Sequence, residues 1–384
     1  MLNVNIVADN NSCTVKIEGR VDSNNSAEFA ARLDQLPADA HLVFDLEKLE
    51  YISSAGLRVI LRIRKDHADL ELKNLSSEVY EIFDMTGFTQ MMKVSRAYRK
   101  VSVDGCEVIG RGANGEVYRI DPDTVVKVYL NEDALPDIEH ERDVARKALV
   151  LGIPTAISYD VVRVGDHYAS MFEMLNAKSF SNLLADDSGN VESCAKQYID
   201  LLKLIHSTEV PEGQLPDQRQ VTIGWIEFLQ EYLPKDVYDK LHSLIVAIPY
   251  DDHMIHGDYH TKNIMLQNDE VILIDMDTLA IGHPVLEMAS MYNAYVGFHL
   301  LDPEGVKDFL GFDLDTAKKF WKRSLELYYG TQDEKLLAEY EDKAKTVGLV
   351  RIMRRTIRRH GDPALIERCR QELCDLAKRL DTLV

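Results

Sequence analysis

The stretch His256-Gly257-Asp258-Tyr259-His260-Thr261-Lys262-Asn263, followed by Ile274-Asp275-Met276-Asp277, constrains this chain more than any other. It sets a carboxylate at Asp258, a side-chain amide five residues later at Asn263, and a second carboxylate at Asp275. Between them, Ile264–Leu266 and Val271–Ile274 are short apolar runs separated by Gln267-Asn268-Asp269-Glu270, which reads as a hairpin. Polar loop, hairpin and terminal carboxylate therefore form one supersecondary unit.

The chemistry that suits such a unit is phosphoryl transfer. That reaction needs little covalent help from protein, so catalysis rests on positioning and on neutralising charge with Mg²⁺. The spacing is that of a kinase catalytic loop followed by a metal-binding aspartate. Asp258 would orient the attacking hydroxyl and accept its proton. Asn263 and Asp275 would hold the metal.

The upstream sequence supplies the rest in order. Val108 to Tyr118 is a G-x-G-x-x-G-x-V run built on Gly110, Gly112 and Gly115, with Ala113 inside it. Glycines there let backbone approach phosphates and reach positive φ without a Cβ clash. The run lies between β-type segments, Cys106–Ile109 and Val117–Ile120, so strand-loop-strand is expected rather than a strand-loop-helix dinucleotide site. Lys127, in the next strand Val125–Tyr129, is placed to pair the α- and β-phosphates of ATP; an outward-facing strand lysine is the plainer alternative. A helix over Ile138–Leu149 offers Glu141 as its partner and Glu139 as the runner-up, and helical phase does not choose between them. Tyr168–Leu175 reads as the strand entering a hinge, with Glu173, Met174 and Leu175 at the adenine edge and Met171 packing on its face.

Residues from about 103 to 384 resemble the aminoglycoside phosphotransferase family, which also includes choline and fructosamine kinases. Thr278 to Ala289 is similar to the family's G-D-P-x-x-D-L-A segment, with His283 and Glu287 at its two acidic positions. Asp275-Met276-Asp277 is not D-F-G, and no A-P-E segment follows. The platform for an extended peptide is thus missing, and a small hydroxylated or amino acceptor is expected, seated among helices from about residue 190 onward. Asp277 orders the loop or faces a second metal, or it simply caps the next turn. His206 and His256 are read as scaffold beneath the loop, and His260 has no assigned role.

The first hundred residues follow another pattern. Strand-like runs at Val4–Ala8, Cys13–Glu18, His41–Leu46 and Leu70–Leu75 alternate with helical periodicity at Ala27–Leu36, Ser54–Lys65 and Glu78–Met85. The order β-β-α-β-α-β-α suggests a small α/β domain. Gly19-Arg20-Val21-Asp22, Phe44-Asp45-Leu46 and Leu49 to Leu61 resemble a STAS domain, the module of anti-sigma factor antagonists. The resemblance implies a regulatory phosphosite in the Ser-Ser-Ala-Gly-Leu turn, at Ser54 or secondarily at Ser53, and a protein partner. Phosphate is favoured at a helix N-terminus by the dipole. The alternative is that both serines simply cap the helix.

The expected fold class is an α/β STAS domain plus an α+β two-lobed kinase-like domain with a β-rich N-lobe and a mainly helical C-lobe. The expected divisions are 1–98, a connector over 99–104, an N-lobe over 105–175 and a C-lobe over 176–384. The 384 residues fit two or three domains. Asn3, Asn5, Asp9 and Asn10 interrupt the N-terminus, so no signal peptide is expected. Five cysteines without a C-x-x-C pattern read as free thiols of a cytoplasmic protein. A net charge of −20 argues against nucleic-acid or membrane partners. Against that balance, Arg351, Arg354, Arg355, Arg358 and Arg359 fall on one helical face. That face is either solvated or holds an anionic group; Arg354 and Arg358 in the catalytic cleft would favour an anionic substrate.

Two functions follow. The first is an ATP- and Mg-dependent phosphotransferase with an alcohol group as acceptor, regulated or docked through the STAS module. The second is a signalling protein of partner-switching type whose kinase-like part phosphorylates a protein serine or senses nucleotide.

Overall fold

The computed structural model describes residues 2–9, 12–37, 40–112 and 114–384. Asn10 and Ala113, cited above, lie outside the described residues. The chain forms two compact units, one ending at Ser102 and taking in Val161–Asp166, the other comprising Val103–Asp160 and His167–Val384.

The first unit is built on a five-stranded sheet in the order Asn3–Asp9, Ser12–Val21, His41–Ile52, Glu71–Leu75, Lys93–Arg96. The first pair is antiparallel and the others are parallel. Helices Ser26–Leu33, Ser54–Asp66 and Ser77–Met85 bury Phe29, Leu57, Ile60, Val79 and Phe83 with the sheet residues Val15, Phe44 and Leu72. The fifth strand escaped the sequence reading because Lys93-Val94-Ser95-Arg96 holds a single apolar residue and shows no run. The stretch expected as connector contains a short strand, Arg99–Lys100, paired in parallel with Val162 and Arg163.

In the second unit, Glu107–Arg111, Gly115–Asp121, Thr124–Tyr129 and His167–Glu173 lie side by side in the sheet order fourth, third, second, first. Helix Leu135–Val150 follows the third of these strands. The rest is mainly helical, as a β-rich and a helical lobe require. The helices relevant to the site are Val191–His206, Gln218–Phe228, Pro284–Tyr292, Leu314–Tyr329 and Glu334–Arg358. Their core holds an aromatic group of Tyr198, Tyr259, Tyr295, Phe320 and Trp321.

The expected hairpin is Ile264–Gln267 paired antiparallel with Glu270–Leu273. Its two turn residues, Asn268 and Asp269, both have positive φ, 51° and 65°. That is the turn geometry that matches strand twist, and Asn and Asp tolerate it. All five cysteines are free of disulfides. No helix among the described residues is long and apolar enough to cross a membrane.

Candidate active site

The site starts from strand Thr124–Tyr129, whose alternation sends Lys127 and Tyr129 to the same face. Lys127 Nζ lies 3.1 and 3.0 Å from the two carboxylate oxygens of Glu141 and 3.3 Å from Asp275 Oδ1. Glu139 is exposed on the same helix, so helix Leu135–Val150 presents Glu141 to the lysine. The Tyr129 hydroxyl also donates to Glu141, at 2.7 Å. Burial alone would depress the Lys127 pKa; the charges of Glu141 and Asp275 outweigh it and hold the ammonium above its ordinary value. Lys127 thus stays charged while bridging the two lobes.

A cavity of about 440 Å³ opens beside this lysine, lined by Asn114, Lys127, Tyr129, Glu141 and Asp277 among others. The glycine loop closes with the Gly112 N–H donating to the Gly115 carbonyl at 2.9 Å. None of Gly110, Gly112 and Gly115 has positive φ, contrary to the expectation for this run. The demand for glycine is instead steric at Gly115, where a Cβ would come within 2.3 Å of the Val128 carbonyl oxygen. A second cavity of about 570 Å³ is lined by Met174, Leu175, Lys178, Leu183, Leu266 and neighbours. Met174 and Leu175 thus reach a pocket, whereas Glu173 is exposed just before it. The Met174 N–H donates to the Asp123 carbonyl at 2.8 Å, which removes it from the donors open to a base edge. Met171 is buried.

The loop carrying Asp258 is fastened from several sides. Glu287, fully buried on helix Pro284–Tyr292, accepts from the N–H groups of His256, Gly257 and Tyr259. Burial pushes its carboxyl up to about 7 despite those donors. Tyr198 and Tyr259 exchange hydroxyl-to-carbonyl hydrogen bonds at 2.9 and 2.6 Å, tying the loop to helix Val191–His206. Tyr295 accepts from the Thr261 N–H, and the Thr278 hydroxyl donates to the His256 carbonyl. Gly257 has φ 82° and passes so close to the Thr278 carbonyl that a side chain would collide with it. His256 is fully buried, and that burial lowers its pKa to about 4. His206 bonds Tyr328 through Nδ1, at 2.7 Å.

Within that frame Asp258 meets two cations or potential cations. His260 Nε2 lies 3.3 Å from Oδ2, and Arg351 Nη2 lies 4.0 Å from Oδ1. Burial would raise the Asp258 pKa; His260 and then Arg351 more than reverse this and hold the carboxyl below its ordinary range. His260 therefore has a partner that the sequence did not assign. Asn263 donates through Nδ2 to the Asp258 carbonyl at 3.1 Å, which turns its amide oxygen away from that contact. Asp275 has φ 64° and a half-exposed side chain whose recorded partner is Lys127. Asp277 lines the cavity with Lys127 and is raised to about 7, by burial first and by Asp275 and Glu141 next. The amide oxygen of Asn263 and the Asp275 carboxylate are hard oxygen donors of the kind Mg²⁺ takes.

Arg351 joins this site through helix Glu334–Arg358: its Nη1 donates to the Gly257 carbonyl at 3.1 Å. Its neighbour Arg354 lies over the Phe228 ring instead, 5.8 Å from the centroid. The periodicity established the stripe, but not that Arg351 is its member at the loop. Glu287 was visible as an acid within the apolar run Val285–Ala289, though only as a family position. Tyr129, Tyr198 and Tyr259 carried no such signal.

In the first unit, Ser53 is the N-cap of helix Ser54–Asp66 and accepts from the Gly56 N–H at 3.4 Å. Ser54 is the first helical residue and is exposed. The two serines thus divide between the capping and the accessible position.

Comparison with known proteins gives two assignments. Residues 3–101 match the STAS domain, and residues 105–320 match the phosphotransferase enzyme family (APH). The protein BtrV of Bordetella bronchiseptica, named as an anti-sigma factor antagonist, is 37% identical over 89 aligned residues, and the match covers 21% of this chain and 75% of BtrV. The anti-sigma-B factor antagonist of Bacillus subtilis is 28% identical over 99 aligned residues, and the match covers 24% of this chain and 91% of that protein. Among solved structures, a thermostable mutant of aminoglycoside phosphotransferase APH(4)-Ia, in ternary complex with ADP and hygromycin B, superposes with a TM-score of 0.52 at 12% identity. The match covers 71% of this chain and 93% of that one, a likeness of fold.

Proposed function

The chain belongs to the phosphotransferase enzyme family and carries an N-terminal STAS domain of the anti-sigma factor antagonist type, and from that premise we propose that it moves the γ-phosphoryl group of ATP to a hydroxyl of a small molecule. The observation that carries this reading is the meeting of Lys127, Glu141 and Asp275 at 3.0–3.3 Å, in the same unit as the fastened Asp258–Asn263 loop.

In this reading Lys127, held by Glu141 and Tyr129, binds the α- and β-phosphates beneath the glycine loop. Asn263 and Asp275 hold Mg²⁺, which when bound neutralises charge developing on the phosphates. Asp258 aligns the acceptor hydroxyl. The acceptor oxygen bonds to the γ-phosphorus as the bond from phosphorus to the β–γ bridging oxygen breaks, and ADP departs with that electron pair. The hydroxyl proton passes to Asp258. A carboxylate held ionised by His260 and Arg351 is a weak base, which suits a loose transition state where the proton moves late.

Nucleotide turnover in the presence of a protein-free metabolite extract tests the assignment. Asp258→Asn is expected to slow it by about 10²–10⁴-fold. Turnover within about tenfold of wild type would remove Asp258 from the role.

A second reading, phosphorylation of a STAS serine, is favoured by one observation: Ser54 is exposed and does not serve as the cap. Phosphopeptide mapping after incubation with Mg-ATP separates the two. Unmodified Ser53 and Ser54 would exclude self-phosphorylation there.

A further inference from the structure

Helix Glu334–Arg358 brings Arg351 to the candidate base and carries further arginines beyond it, which make no ion pair with an acidic side chain among the described residues. No acidic residue lies between Asp342 and Asp362, in a chain where acids outnumber bases by 64 to 44. Arg351 reaches Gly257 O and Asp258 directly. Among the described residues, Arg354, Arg355, Arg358 and Arg359 form no ion pair with an acidic side chain.

The arrangement is also ordered. The Arg351 guanidinium lies 5.6 Å from the Trp225 ring centroid and Arg354 5.8 Å from Phe228, both rings belonging to helix Gln218–Phe228. Arg354 Nε is buried without a hydrogen-bond partner. Arg355, one turn beyond Arg351, is exposed. Burial first, then Arg359 and Arg351, depress its pKa, while Asp258 acts in the opposite direction. The rings hold Arg351 and Arg354, while Arg355 and Arg358 stay exposed on the same helix, and a free guanidinium fork binds carboxylate or phosphate oxygens in bidentate fashion. Lys127 already serves the nucleotide phosphates, and none of these arginines lines the cavity beside it.

We infer that the phosphoryl acceptor is an anion, a hydroxylated molecule whose carboxylate or phosphate docks on Arg355 and Arg358 while its hydroxyl meets Asp258. This rests on the phosphotransferase reading above and names the substrate class for it. A cationic acceptor would be repelled at this face and would need acids that the stretch from Asp342 to Asp362 does not contain. Arg355 is therefore a binding residue for the acceptor, and Arg351 a positioning residue through the loop.

The test uses the full chain and metabolites of a cell extract, separated by ion exchange into anionic, neutral and cationic pools. Each pool receives γ-labelled ATP with Mg²⁺ and wild type, Asp258→Asn, Arg355→Gln or Arg368→Gln. Arg368 is an exposed arginine off the stripe. ADP affinity of each variant reports that the fold is kept. The expected result is Asp258-dependent label in the anionic pool, with Arg355→Gln raising the half-saturating amount of that pool by about 10–100-fold, its plateau nearly kept and Arg368→Gln silent. Label in the neutral or cationic pool, or an anionic acceptor that Arg355→Gln does not weaken, overturns the inference and leaves the phosphotransferase reading standing. No Asp258-dependent label in any pool removes that reading and the inference with it.

Discussion

The loop proposed to carry the base, at Asp258, and the serine turn at Ser53 and Ser54 are held in opposite ways. Asp258 sits in a loop fastened by the Glu287 carboxylate, the Tyr198–Tyr259 exchange, Tyr295, Thr278 and Arg351. Ser54 starts a helix whose N-terminus is secured by one side-chain bond, from its neighbour Ser53. The difference teaches what each region has to withstand. A group that must meet a transferring phosphoryl has to be fixed before substrate arrives. A serine that is to be phosphorylated, the role proposed for Ser54, has to be left accessible.

The comparison breaks most sharply at Lys127. Lys127→Ala should lower phosphotransfer by about 10²–10³-fold, the usual scale for deleting one preorganised electrostatic contact to the reacting group. Steady-state kinetics of the purified variant checks this, and a loss below tenfold would detach the lysine from the reaction. Next in size is Glu287→Ala. It strands the N–H groups of His256, Gly257 and Tyr259, and each buried unsatisfied donor costs about 1–3 kcal/mol. Chemical denaturation of the second unit should show a loss of roughly 3 kcal/mol or more from those donors. A loss under about 1 kcal/mol would mean that the loop is held by something else.

The same residue gives a pH signature. Folded Glu287 keeps its proton up to about 7, whereas the unfolded carboxyl releases it near the ordinary 4.5. Between those values the folded state binds more protons, so its stability falls as pH rises from 5 to 7. Glu287→Gln should flatten that slope, measured as the denaturation midpoint at both pH values. An unchanged slope would contradict the assignment.

The smallest effects belong to the serine turn. Ser53→Ala should cost the first unit about 1 kcal/mol through the lost cap. Ser54→Ala should change stability by less than about 0.5 kcal/mol, as an exposed substitution does. If the two reversed, Ser54 would be the structural serine and Ser53 the accessible one.

What could be read from the sequence follows the same divide between local and distant. The run from His256 to Asp277 is contiguous, and its hairpin declares itself through two apolar runs and an Asn-Asp turn, so the loop was legible before any fold. Glu141 and Glu139 are two residues apart on one helix, and only the strand carrying Lys127 decides which of them faces it. Glu287, Tyr198 and Arg351 reach the loop from three separate helices, and the packing of those helices has no signature in spacing. Arginine periodicity showed a shared face, while its direction had to come from the rings of Trp225 and Phe228. The polar edge strand at Lys93–Arg96 was missed because four residues without an apolar run carry no pattern. The glycine run was recognised for the wrong reason at Gly115, where crowding by Val128 rather than positive φ excludes a side chain.

The most direct measurement is the destination of the γ-phosphate. Wild type and Asp258→Asn are incubated with γ-labelled ATP, Mg²⁺ and a cell extract, and the label is separated by molecular size. The account predicts Asp258-dependent label in the small-molecule fraction, as a phosphate ester. Label found only on protein, or equal label from both forms, would contradict it.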